Sequence, residues 1–195
     1  MNRPFLLFIA VFIVMALSNA IVPVLPLLSD DLSFQTLIFS AYFFGAMVST
    51  LPAGIASDHY GQPVLIRVSM GLTLLTGILI VTLTDPVDLL VWRFIEGVAA
   101  GIFVSSALSW IGYQEDTLKN TGFFMASLNF GLLSGLIGSG WLTQISGEIL
   151  LGAFVCTLIT GIVFLFILVH KIPRLGSKER ISARLLAGET VSQII

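Results

Sequence analysis

Two side chains in this sequence have the type and spacing to do chemistry away from water. Arg93 and Glu96 sit three apart inside a long apolar run from about Val87 to Gly112. On a helix that spacing puts both on one face, where they can pair. Two readings of the pair stay open. In the first, Glu96 is held between the pull of desolvation and the pull of the cation, so it can take up and release a proton as access changes. In the second, the pair is a static buried bridge that keeps helices in register. Asn19 is a further candidate on the same path, able to bond either a ligand or a neighbouring helix. Nothing else offers a catalytic or metal centre. Cys156 is the sole cysteine and lies in an apolar run, and His59 and His170 stand singly at the ends of such runs. No cofactor is implied.

The elements that position these groups follow from composition. The chain is 56% hydrophobic and only 10% charged, against about 25% charged in a soluble domain. Too few charges are present to cover a water-facing surface, so the solvent is a lipid bilayer. A net charge of -2 argues against a nucleic-acid partner. Six apolar runs are visible: Pro4–Ser29, Asp31–Asp58, about Val64–Thr84, about Val87–Gly112, Lys119–Glu148 and Ile149–Val169. Each reaches the roughly 20 residues a membrane helix needs. Helix is the required form, because backbone groups in lipid must be satisfied within the segment. The basic start Met1-Asn2-Arg3 with Ser18-Asn19-Ala20 has features of a signal peptide, but the apolar run continues through Ile21–Leu28 and reads as a span. If helix four enters from the side carrying Asp88, Arg93 lies about 7 Å in and Glu96 about 12 Å in, near the middle of a core roughly 30 Å thick.

Charge distribution orients the spans. With alternating crossings, Arg3, Arg67, Lys119, Lys171, Arg174, Lys178, Arg180 and Arg184 fall on one side, while Asp30, Asp31, Asp85, Asp88 and Glu148 fall on the other. The expectation is a multi-pass protein of the cell membrane with both termini cytoplasmic. Residues 1–170 form the six-helix membrane domain. Residues 171–195 form a basic cytoplasmic tail, either flexible or an amphipathic helix with Ile181, Leu185 and Leu186 on its apolar side. Polar groups concentrate on helices one and four, and helices three and six are the blandest, so that three and six are expected to face lipid. This weak repeat predicts an all-α membrane fold of two inverted three-helix units. Gly131, Gly135, Gly138 and Gly140 on helix five read as a packing stripe. Tyr42, Phe43 and Phe44 read as helix packing. Gly54-Ile55-Ala56-Ser57-Asp58-His59-Tyr60-Gly61 reads as a short polar loop, its glycines forming a tight turn.

Four stretches, in order, resemble the N-terminal half of a major facilitator superfamily transporter. The loop resembles the family motif G-x-L-A-D-R-x-G-R-K, with Gly54, Asp58 and Gly61 as matched anchors and His59, Gln62 and Pro63 at its basic positions. Arg93-Phe94-Ile95-Glu96-Gly97 resembles R-x-x-Q-G, with Glu96 at the glutamine position. Pro23-Val24-Leu25-Pro26 is similar to the P-V-x-P ending of helix one in drug-exporter branches. Gly131, Gly135 and Gly140 fit part of G-x-x-x-G-P-x-x-G-G, where Leu136 replaces the proline and Ser139 one glycine.

The resemblance implies a secondary carrier of small molecules and not an enzyme, with proton-coupled efflux as the mode its drug-exporter branch suggests. It also implies that Asp58 helps latch one side of the protein against the other half. The family has about twelve helices in two six-helix halves. The expectation is therefore a second half, supplied by another copy of the chain or by a separate chain. The alternatives are a truncated or split-gene fragment, or a structural membrane subunit, without transport of its own.

Overall fold

The computed structural model describes residues 3–82, 85–170 and 172–173. The expected tail, 171–195, lies outside these residues except for Ile172 and Pro173. Helix α1 spans Arg3–Ala20 and is followed by a 3-10 turn, Val22–Val24, and a one-turn helix α2, Leu25–Leu28. Then come α3 (Leu32–Tyr60), α4 (Gln62–Thr82), α5 (Pro86–Gly112), α6 (Thr117–Ser146) and α7 (Leu151–Val169). No strand occurs among the described residues. Among the described residues, five stretches are long and apolar enough to cross a membrane: Pro4–Leu28, α3, α4, α6 and α7. The remaining long helix, α5, is the one that carries Asp88, Arg93 and Glu96.

The helix ends follow from local chemistry. Asp31 Oδ1 accepts from the Ser33 N–H at 2.9 Å, and Asp85 Oδ1 accepts from the Val87 N–H at 2.9 Å. Each acid thus satisfies a donor that the first turn of its helix leaves without a partner. Gly147, with φ 75°, ends α6 in the left-handed region where only glycine is free of strain.

The turn between α3 and α4 departs from the loop expected over Gly54–Gly61. The helix continues through Gly54 and Asp58 to Tyr60, and only Gly61 leaves helical geometry, with φ 92°. The Gly61 N–H still bonds the Ser57 carbonyl at 3.0 Å, and α4 begins at the next residue. A helix keeps backbone groups paired at the membrane edge, whereas an eight-residue loop would leave them unpaired. Gly54 supplies small size here, not a turn.

Helices α1 and α5 lie at the centre. α5 packs along α3 and α4, and α1 packs along α6 and α7. The main core joins Leu7, Val11 and Val14 of α1 to Phe103, Trp110 and Ile111 of α5, with Phe124 of α6 and Ile167 of α7. The Trp110 indole N–H donates to the Pro173 carbonyl at 3.0 Å, and Ile172 is buried in the same core, which pins the chain just after α7. Large apolar side chains point outward instead, including Met47, Leu51 and Ile55 of α3 and Phe130, Ile137 and Trp141 of α6. That arrangement suits a protein whose surface is solvated by lipid.

Most buried hydroxyls are satisfied inside their own helix. Ser69, Thr73 and Thr76 of α4 donate to carbonyls three or four residues back, at 3.0 Å each. Thr157 and Thr160 of α7 do the same at 2.8 Å. The hydroxyl faces of these two helices therefore point into the bundle, while Leu158, Ile162 and Leu165 of α7 cover the outside.

Glycines set how closely the helices approach. A Cβ at Gly97 of α5 would overlap the Tyr42 carbonyl, and one at Gly45 of α3 would overlap the Phe94 carbonyl. On the other side of the bundle, a Cβ at Gly131 or Gly135 of α6 would overlap the carbonyls of Phe12 or Ala16 of α1. Gly138 faces open space, and a Cβ at Gly140 would meet Pro23 Cβ at an ordinary 3.4 Å. The expected stripe of four is thus two backbone contacts plus two looser positions. Gly97→Ala and Gly135→Ala should each destabilise the protein by roughly 1–3 kcal/mol through overpacking. Gly138→Ala should be neutral or slightly stabilising, since it adds helix propensity without a clash. Thermal unfolding of the three variants in one detergent would check this, and equal midpoints would refute the packing account.

Candidate functional site

The site is built around a break in the first membrane segment. α1 stops at Ala20, and the chain passes through a 3-10 turn containing Pro23 before α2. Carbonyls in the last turn of a helix run out of intrahelical donors. Ser18 lies in that turn. Its hydroxyl donates back to the Val14 carbonyl at 2.9 Å, and its own carbonyl is turned toward α5.

Arg93 and Glu96 of α5 project into this junction, each only 1% exposed. Arg93 Nη1 donates to Glu96 Oε2 at 2.5 Å and to the Ser18 carbonyl at 2.9 Å. The guanidinium also lies over the Tyr42 ring of α3, with Cζ 4.8 Å from the ring centroid. A desolvated cation over an aromatic face gains about 2 kcal/mol. The Tyr42 hydroxyl reaches Met15 Sδ of α1 at 4.0 Å. One buried charge pair therefore touches three helices: α5 through Glu96, α1 through Ser18 and α3 through Tyr42. Arg93 Nε is buried and has no partner among the described residues.

The residues singled out in the sequence fall in separate places. Arg93 and Glu96 are together. Asn19 turns the other way, and its Nδ2 donates to the Leu132 carbonyl of α6 at 2.8 Å. It braces α1 against α6, beside Gly131 and Gly135, which make the close backbone approach there. Asp58 is exposed near the end of α3. It lies sixteen residues beyond Tyr42 on the same helix, or about 24 Å along the axis. The two regions are distinct. Phe43 and Phe44 are half exposed, with Phe43 edge-on to the Tyr42 ring and Phe44 against Phe94 of α5.

Ser18 and Tyr42 are the members of the site that sequence reasoning missed. Ser18 acts through its backbone carbonyl, so its residue type carries no signal. The break at Pro23 was the available clue, because it implies free carbonyls just upstream. Tyr42 is one aromatic among many, and nothing local separates it from Phe43. No group of three or more His, Cys, Asp or Glu side chains that could hold a metal occurs among the described residues.

In comparison with known proteins, the family profile described as Major Facilitator Superfamily matches residues 7–192. No curated protein matches the chain.

The geometry sets the cost of dismantling the pair. Removing one partner leaves the other charge buried and alone, at about 3–5 kcal/mol, whereas replacing both by apolar side chains of similar size is often near neutral. Arg93→Met and Glu96→Leu should each lower the unfolding midpoint strongly, and the double variant should recover most of the loss. Costs that simply add in a double-mutant cycle would mean that the two groups are not coupled.

Proposed function

The chain belongs to the Major Facilitator Superfamily, whose members are membrane transporters and not enzymes; on that premise we propose that it carries a small molecule across the cell membrane with a proton moving in exchange. The observation that carries this reading is the buried Arg93–Glu96 pair at the meeting point of α1, α3 and α5. Inside a membrane, such a pair costs stability that apolar residues would not. A coupling site accounts for its presence.

In the proposed cycle, ionised Glu96 holds Arg93. When Glu96 takes a proton from one side of the membrane, the ion pair is lost. Arg93 then keeps only the Ser18 carbonyl and the Tyr42 ring, so the junction of three helices is reset. Release of that proton to the other side restores the pair. The direction we propose for the substrate is outward, on the similarity of Pro23-Val24-Leu25-Pro26 to drug exporters. Two inverted three-helix units fit the packing. α1 pairs with α6 and α5 pairs with α3, the correspondence expected if one triplet is exchanged for the other.

Transport on this scheme needs a second six-helix half, which we place against α3 and α6. These are the least apolar of the five candidate spans and also the least buried. Their exposed faces carry Ser40, Thr50, Asn129 and Ser134 beside the large apolar residues. Polar side chains facing lipid are unfavourable, and a protein partner relieves that cost. Asp58, exposed at the end of α3, is then placed to latch against the partner, where a helix N-terminus would suit its charge.

The test is dye export from proteoliposomes or cells under a pH gradient, using a panel of lipophilic fluorescent cations. Glu96→Gln should abolish gradient-driven export. Asp58→Asn should reduce export several-fold while leaving the amount of protein in the membrane unchanged. Export by Glu96→Gln at the wild-type rate would remove the coupling role. Export unaffected by Asp58→Asn would remove the latch.

A further inference from the structure

Helices α3 and α6 stand at the two edges of one side of the bundle. α3 packs on α5, α5 touches α1 and α1 packs on α6, while α3 and α6 do not pack on each other. Each leaves a long exposed stripe. On α3 it runs through Leu51 and Ile55 to Asp58, and on α6 it runs from Lys119 through Gly122 to Ala126. Two helices, α4 and α5, separate them in the chain, so α3 and α6 cross the membrane in opposite directions. Asp58, near the end of α3, and Lys119, near the start of α6, therefore lie on the same side.

Measured from that side, the two stripes are complementary in size and charge. Ile55 comes three residues before Asp58 and Gly122 three residues after Lys119, so each lies about 4.5 Å further in. Leu51 and Ala126 are each seven residues along, at about 10 Å. Ile55 is 66% and Leu51 78% exposed, and both are large. The residues at matching depth on α6 are glycine and alanine. A Cβ at Gly122 would meet nothing in its own chain, so no internal contact explains a residue that weakens the helix there. Asp58 and Lys119 are both exposed and opposite in charge. Glu115 and Asp116 precede α6 and lie outside its stripe.

We propose that a second copy of this chain covers α3 and α6, related by a two-fold axis along the membrane normal, so that α3 of each copy packs antiparallel on α6 of the other. The inference rests on the second half invoked in the proposed function, and it names that half. Ile55 and Leu51 of one copy fill the notches at Gly122 and Ala126 of the other, Asp58 meets Lys119, and symmetry makes each contact twice. The other symmetric pairings lack this fit. α3 on α3 sets Asp58 against Asp58 and Ile55 against Ile55. α6 on α6 sets Lys119 against Lys119 and leaves the large residues of α3 uncovered. On the opposite side of the membrane, the proposed packing brings only acids together, Asp31 at the start of α3 and Glu148 just past the end of α6. The copies are thus drawn together at the Asp58 side and repel at the other.

Cross-linking of the full chain in dilute proteoliposomes tests this without any substrate. In a Cys156→Ser background, Ile55→Cys combined with Gly122→Cys should give a disulfide-linked dimer on mild oxidation. Because α3 and α6 do not pack on each other within one chain, a bond between these positions joins two copies. Neither single variant should cross-link alone, and a mixture of the two, carrying different tags, should give the mixed dimer. Asp58→Lys should weaken association, read by energy transfer between labelled copies, roughly tenfold, and Lys119→Asp in the same chain should restore it. A chain that is monomeric in lipid, a dimer formed by either single cysteine variant, or a loss that Lys119→Asp does not restore would each overturn the pairing. Proton-driven export by a monomeric chain would overturn the dimer and leave the transport reading standing. A dimer that cross-links as expected and exports nothing would uphold the dimer and sink the transport reading.

Discussion

A guanidinium removed from water is the constraint on which the rest of the arrangement depends. Arg93 is almost wholly buried, and an isolated charge there would cost several kcal/mol. The compensation comes from three helices, and each part depends on another feature of the chain. Glu96 is available because it lies one helical turn along α5. The Ser18 carbonyl is available because α1 stops at Ala20, short of Pro23. The Tyr42 ring is available because Gly45 and Gly97 let α3 and α5 close to backbone contact. Moving any of these helices would expose or strand the charge, so one ion pair registers the positions of α1, α3 and α5 together.

The polar groups divide by where their hydrogen bonds go. Ser69, Thr73, Thr76, Thr157 and Thr160 bond their own helices and present only small methyl or methylene surfaces to their neighbours. Arg93, Asn19 and Ser105 bond carbonyls of other helices. The first group lets α4 and α7 pack as if they were apolar. The second group joins helices at discrete points. A protein that changes shape in a membrane needs both kinds of contact. The Ser18 carbonyl is made available by the end of α1, whereas the Leu132 carbonyl lies within α6.

The gross architecture was legible because the bilayer imposes a length and an apolar composition on every span. The use of Asp31 and Asp85 as caps agrees with ordinary propensity. The region Gly54–Gly61 was misread in extent. Its two terminal glycines look alike in sequence, yet Gly61 adopts φ 92° and ends a helix, while Gly54 is helical and faces Ser105. The glycines of α6 carry the same lesson. Gly131 and Gly135 touch the backbone of α1, and Gly138 on the same helix faces open space. Spacing shows that a stripe exists, but only the neighbouring helix decides which of its members are in contact.

The sequence by itself determined that this is a membrane-embedded helical chain, with one arginine and one glutamate sharing a helix face. Those facts rest on composition, on the length of apolar runs and on the period of the α-helix, all of which are local. The tertiary structure alone decided what completes the charge pair and where the helices are joined. Arg93 and Ser18 are 75 positions apart, and Ser105 and Thr50 are 55 apart. Such contacts are set by how glycines and helix breaks let distant segments approach, and in both cases the group that accepts is a backbone carbonyl, which every residue carries and no sequence pattern marks.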